Sequence, residues 1–224
     1  MDYIAFIAGL PEIAWDDRKL SLTVGEFRAQ LKDYIRGRDE QLVDLFFLPN
    51  DNAQVLRLLN KQEADPGLTT VYPVKLLEDE IQEPDKMIPS YLREFITDFK
   101  EEHLRYEVSP ENVLSWMYHD YMMKADNLLV RKYAEFSMNL KNLVAALNAR
   151  KYGMNVAREI IGSNEFAVAL RTSNAKDFGL GMDYPYVEKV IALMENDNLV
   201  ERERGLDLIC LLYTSPSPRD VEES

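Results

Sequence analysis

Through most of this chain apolar residues recur three or four positions apart, and the breaks between runs fall on residues that cap helices. Thr23-Val24-Gly25-Glu26 fits a capping box, in which Thr23 accepts from a free backbone N–H and Glu26 reaches back. The helix that follows places Phe27, Leu31 and Ile35 on one face, and Gly37 ends it. Asp39 can cap a second helix carrying Leu42, Val43, Leu45, Phe46 and Phe47, which Pro49 closes. Asp51 or Asn52 can cap a third, with Val55, Leu56, Leu58 and Leu59. Asp65-Pro66-Gly67 is a turn signal and opens the least patterned stretch, which holds one short helix at Val74–Ile81. Pro89 and Ser90 then start a helix with Tyr91, Leu92, Phe95, Ile96 and Phe99. Tyr3–Ala8 departs from this period: YIAFIA is short, aromatic and β-branched, and reads as a buried strand or extended segment. A loop with Trp15, Asp16 and Asp17 follows it.

Ser109-Pro110-Glu111 combines a capping hydroxyl, a proline at the first position and an acid in the first turn. No glycine or proline follows until Gly153, so Pro110–Tyr152 reads as one helix of about 64 Å, with a break near Asp126-Asn127 as the alternative. Within it Tyr118, Met122, Ala125, Leu129, Tyr133, Phe136, Leu140, Leu143 and Leu147 alternate by four and three, a heptad seam. That seam predicts packing inside a bundle, or a face offered to another subunit. Past Gly153 the pattern predicts a two-turn helix at Asn155–Ile161 and another from Ser163 or Asn164 through Leu170. A polar loop at Thr172–Gly181 and helices at Tyr186–Asn196 and Leu199–Ile209 complete it. The predicted fold is mainly α: a multi-helix bundle with one long central helix (about 110–152) and a short N-terminal extended segment. It is expected to divide into an N-terminal helical lobe, residues 1–105, and a long-helix lobe, residues 106–209.

Composition narrows the function. The formal charge is −13, and such a surface repels phosphate backbones and anionic lipid. No apolar run approaches the roughly 18 residues a membrane helix needs, and nothing basic precedes Tyr3–Leu10 as a signal peptide requires. A cytoplasmic protein is expected, without nucleic acid as a partner. The single cysteine, Cys210, opens CLLYTSPSPRD, which resembles adapter sequence read through at the ends of conceptual translations. Residues 210–224 are therefore expected to be a non-native tail, with the native C-terminus truncated; Pro216 and Pro218 would stop the helix before it.

Chemistry is sparse. Two histidines and one cysteine cannot build a zinc site, and neither His103 nor His119 has a glutamate three residues before it, as di-iron bundles require. Phosphate-binding and nucleophile-elbow motifs are absent from the sequence. Ser173-Asn174-Ala175-Lys176 matches the S-x-x-K pattern of a serine nucleophile with a lysine base, without its companion motifs. Acidic pairs such as Asp16/Asp17 and Glu101/Glu102 do not differ from a solvated face. No catalytic residue, metal ligand or cofactor is assigned. Basic residues gather near the end of the long helix, where Lys141, Arg150, Lys151 and Arg158 suit either the helix dipole or an acidic partner; together with Asn142 they are the candidate partner contacts.

Five stretches carry a resemblance: Tyr3–Phe27, Asp44–Leu59 (DLFFLPNDNAQVLRLL), Pro89–Ile96, Asn139–Gly153 (NLKNLVAALNARKYG) and Ala169–Leu180 (ALRTSNAKDFGL). Together they resemble an uncharacterised bacterial family encoded in V/A-type ATP synthase operons, in the place of the C (d-like) subunit. The resemblance implies a non-catalytic helical subunit or assembly factor that couples membrane ring to central stalk. Its partners would be other ATPase subunits, and it would sit peripherally at the inner face of the cell membrane through that complex. An enzyme with an unrecognised carboxylate or Ser/Lys site and a self-associating helical scaffold are the alternatives.

Overall fold

The computed structural model describes residues 3–12, 21–85, 87–104 and 108–214. Among these the regular elements are twelve helices, so the fold is mainly α. The chain forms two compact units, residues 1–97 and 98–224.

The first unit opens with α1 (Tyr3–Ala8) and α2 (Val24–Tyr34), so the expected N-terminal strand is a helix. So short an apolar run fits either period. Here Phe6 alone of α1 is buried, tilted against Phe27 and Tyr34 at ring-centroid distances of 6.0 and 4.7 Å. The Thr23/Glu26 capping box is present as read. The Trp15–Asp17 loop lies outside the described residues. α3 (Arg38–Asp44) starts after Gly37, and Asp39 sits in its first turn rather than at its cap, accepting from the Tyr3 hydroxyl. Pro49 does not close that helix; it lies in the first turn of α4 (Leu48–Leu59), where its missing N–H has no partner to lose. Asp51 and Asn52 therefore stand inside α4 as buried residues instead of capping it. α5 (Val74–Gln82) packs on α4, and α6 (Ser90–Lys100) buries Tyr91, Leu92, Phe95 and Ile96.

In the second unit the predicted single long helix is two. α7 (Pro110–Met123) is capped by Ser109, and α8 (Leu128–Tyr152) by Asn127, whose side chain accepts from the Val130 N–H. Asn127 competes for the backbone better than a helix interior would allow, and the chain turns back into an antiparallel hairpin. α8 packs against α7, α9 (Val156–Glu159), α10 (Glu165–Thr172) and α11 (Tyr186–Met194). The expected helix Asn155–Ile161 is cut to the four residues of α9, because Ile160 is extended. α12 begins at Leu199 and runs past Ile209 to Thr214.

The buried stripe of α8 is Val130, Ala134, Met138, Asn139, Asn142, Leu143, Ala146 and Ala149. It meets the predicted seam at Leu143 and otherwise lies beside it: Leu129 is 59% exposed, while Phe136, Leu140 and Leu147 flank the core as half-buried residues. Alanines at the centre let neighbouring helices approach closely, and the larger side chains fill the margins. Two glycines mark close approaches between packed segments. A Cβ on Gly162 (φ +76°) would stand 3.0 Å from the Trp116 ring and 3.1 Å from the Met138 sulfur. One on Gly205 would come within 2.3 Å of the Leu193 side chain, which would have to move to admit it.

Leu143 is fully buried within this core. Leu143→Ala is expected to cost about 2–5 kcal/mol of unfolding free energy in urea titration, whereas Leu129→Ala should stay within about 0.5 kcal/mol. A loss at Leu129 as large as that at Leu143 would restore the whole heptad seam as the core.

Candidate docking surface

α8 ends on Arg150-Lys151-Tyr152, with Gly153 left-handed and the Met154 N–H returning to the Ala149 carbonyl at 2.8 Å. Asn155 then accepts from the Ala157 N–H at 3.0 Å and starts α9. The five residues expected to meet a partner all lie in this region or on the face leading to it, and they separate into two groups.

Three of them are already engaged. Asn142 is 1% exposed and clamps the extended chain at Ile161, donating to its carbonyl at 2.8 Å and accepting from its N–H at 2.9 Å. It is a buried structural residue, not a contact residue. Arg150 donates to the Ser173 and Ala175 carbonyls at 2.5 and 2.7 Å, with its guanidinium 3.5 Å from the centre of the Phe178 ring. Lys141 donates to the Ser115 hydroxyl on α7 at 2.6 Å. The residue remains exposed, and burial of its charged end lowers its pKa. This Ser–Lys pair lacks the rest of a nucleophilic site: Ser115 sits within α7, where neighbouring N–H groups serve the helix instead of an oxyanion. His119, one turn on, donates from Nδ1 to the Ser115 carbonyl at 2.6 Å. Burial, aided by the Lys141 charge, pushes its pKa down to about 4 and keeps it neutral.

Lys151 and Arg158 are the other group. Both are exposed, and neither forms an ion pair with a described residue. Tyr152 and Met154 stand between them, 68% and 51% exposed. Sequence reading missed these two, although an aromatic and a methionine flanking a helix-ending glycine are visible there.

The S-x-x-K match does not assemble. Lys176 pairs with Glu195 at 2.9 Å, and the Ser173 hydroxyl accepts from the Ala175 N–H at 3.3 Å. Lys176 lines an open cleft of about 370 Å³ with Asp177, Glu188, Ile191, Ala192 and Glu195. The Asp177 carboxylate there accepts from the Gly179 and Gly181 N–H groups at 2.9 and 3.3 Å, which holds its pKa below the usual range. Asp16 and Asp17 lie outside the described residues; Glu101 is exposed and faces His103 at 3.2 Å. Among the described residues no cluster of three His, Cys, Asp or Glu side chains could hold a metal ion.

Other polar residues that sequence reading passed over do the same work as Asn142. Arg171 donates to the Ile160 and Gly162 carbonyls, both at 2.8 Å. Asn139 accepts from Asn164, which in turn caps α10. In the first unit Gln54 makes a two-way clamp on Asp65, at 2.7 and 2.9 Å. Asn50 donates to the Thr69 carbonyl, and Arg28 bridges the Thr70 carbonyl and Asp44. Asp51 accepts from the Val71 and Tyr72 N–H groups at 2.8 and 2.9 Å. Burial pushes its pKa up to about 6 against the opposing pull of those bonds and of Arg28. Glu80 holds the Asp85 and Met87 N–H groups at 2.9 and 3.1 Å.

A family model described as "Protein of unknown function (DUF2764)" matches residues 1–218. The chain belongs to this family. No curated protein and no solved structure matches it. Among the described residues of this DUF2764 chain, no helix is long and apolar enough to cross a membrane.

Two outcomes check the clamps. Asn142→Ala strands the Ile161 N–H and carbonyl in a buried site and should cost at least about 2 kcal/mol in urea titration. Lys151→Ala, by contrast, should leave stability within about 0.5 kcal/mol. Asp51 is expected to set a pH dependence. Its folded pKa lies above the unfolded value, so its contribution to stability is present in acid and is lost as pH rises through about 6. Between pH 4 and 7 the parent should therefore lose roughly 2–3 kcal/mol relative to Asp51→Asn. A parent that gains on Asp51→Asn over that range would show Arg28 and the two N–H bonds outweighing burial.

Proposed function

We propose that this protein is a non-catalytic subunit or assembly factor of a V/A-type ATPase, in the place of the C (d-like) subunit between membrane ring and central stalk. Its sequence resemblance to the family encoded in such operons suggests the complex. The observation that carries the binding role is the fate of the polar residues in Asn139–Gly153. Asn142 and Arg150 hold backbone, Asn139 holds the Asn164 side chain, and the end of the stretch offers Lys151 and the Tyr152 ring to solvent. Such an arrangement fixes loops rigidly and leaves a surface for another protein. Binding free energy, rather than bond chemistry, is then the product. The protein would be cytoplasmic, held at the inner face of the membrane through its complex.

Pull-down of the full-length chain with the products of the neighbouring genes is expected to retain a stalk or ring component. Recovery of none of them would reject the ATPase assignment.

A further inference from the structure

From Phe136 to Arg158 the chain carries four basic residues and no Asp or Glu, in a protein with 39 acids among 224 residues. At the overall frequency that interval would hold about four acids, so the charge is segregated. Lys141 and Arg150 are committed to Ser115 and to the Ser173–Ala175 backbone. The exposed cations and large apolar side chains that remain are Lys151, Tyr152, Met154 and Arg158, gathered within eight residues around the Gly153 turn.

We propose that Lys151, Tyr152, Met154 and Arg158 form a docking surface for an acidic protein segment carrying apolar side chains between its carboxylates. This rests on the reading of the protein as a binding subunit, and on no particular complex. The two cations supply charge complementarity. Between them the Tyr152 ring and the flexible Met154 side chain offer the kind of apolar contact that aromatic and methionine residues provide at interfaces. Arg150, stacked on Phe178 and bonded to two carbonyls, fixes the base of the surface to the loop at residues 173–175, which limits the ordering cost of binding. An anionic bilayer fits less well. Membrane recognition by charge uses clusters of four to eight basic residues, and this surface offers two, Lys151 and Arg158.

The test uses the full chain and a fluorescent helical peptide of alternating Glu and Leu turns, its Lys/Leu counterpart, and phosphatidylglycerol vesicles. Binding is expected for the Glu/Leu peptide alone, weakened about tenfold by Lys151→Glu/Arg158→Glu and severalfold by Tyr152→Ala/Met154→Ala. The same charge change made at Arg131 and Lys132, about 30 Å away along α8, should have little effect. Absence of peptide binding would overturn the proposal. So would equal loss in the Arg131→Glu/Lys132→Glu control, or vesicle binding with the same sensitivity to the Lys151/Arg158 change. Pull-down separates this from the ATPase assignment. Absence of peptide binding by a parent that retains a stalk or ring component would overturn the surface and leave the assignment standing. Variant-sensitive peptide binding by a parent that retains no such component would do the reverse.

Discussion

Extended chain buried against helices must find partners for its backbone N–H and carbonyl groups, and here side chains supply many of them. Asn142 satisfies both backbone groups of Ile161, and Gln54 both backbone groups of Asp65. Arg171, Arg150, Asn50 and Arg28 donate to carbonyls, while Asp51 and Glu80 accept from pairs of N–H groups. The rule holds in both units. In the second it holds the chain on either side of α10 against α8, and in the first it holds the connection from α4 to α5 against α4. Without these bonds the helices could still form, but the segments between them would have no reason to lie where they do.

The same constraint decides how α8 is built. A helix packed by α7, α9, α10 and α11 cannot carry a single apolar seam of large side chains. Its most buried positions are alanines, a valine, a methionine, two asparagines and Leu143, while Leu140 and Leu147 stand at the edges. Ala134, Ala146 and Ala149 admit close neighbours, and Gly162 brings the clamped segment against Trp116 and Met138. Asn142 is then at the right depth to reach the Ile161 backbone. Small residues and clamps are two parts of one arrangement.

Local signals were legible in the sequence where one residue decides them. Thr23 with Glu26, Ser109 before Pro110, and Gly153 after Tyr152 all stand where capping chemistry puts them. Signals that depend on tertiary company were not. Tyr3–Ala8 is apolar enough for either period, and Phe6 meeting Phe27 and Tyr34 selects the helix. Pro49 can end one helix or begin the next, and Asp51 facing Val71 and Tyr72 goes with the second. The heptad in α8 was a real periodicity, yet only Leu143 of it lies in the buried stripe, with Phe136, Leu140 and Leu147 at the rim and Leu129 outside. For the candidate site the sequence located the right region of the chain. It could not separate Asn142, which is inside, from Lys151, which is outside, because both are polar residues on a helix rich in leucine.

That separation bears on what a resemblance between sequences means. In Asn139–Gly153 the residues that look most distinctive, two buried asparagines and an arginine, are each accounted for by a backbone or side-chain bond within the chain. Their chemistry is therefore used up in making the fold. A partner can meet only what such bonds leave over, and at this end of α8 the remainder is Lys151, Tyr152, Met154 and Arg158. These four are less distinctive as a pattern, since exposed lysine and arginine are common on helices. Their meaning comes from place: a cationic, partly apolar surface on a strongly acidic protein, rigidly seated by the clamps behind it. The proposed surface would work through short-range pairing against the long-range field of the chain, which opposes every polyanion alike.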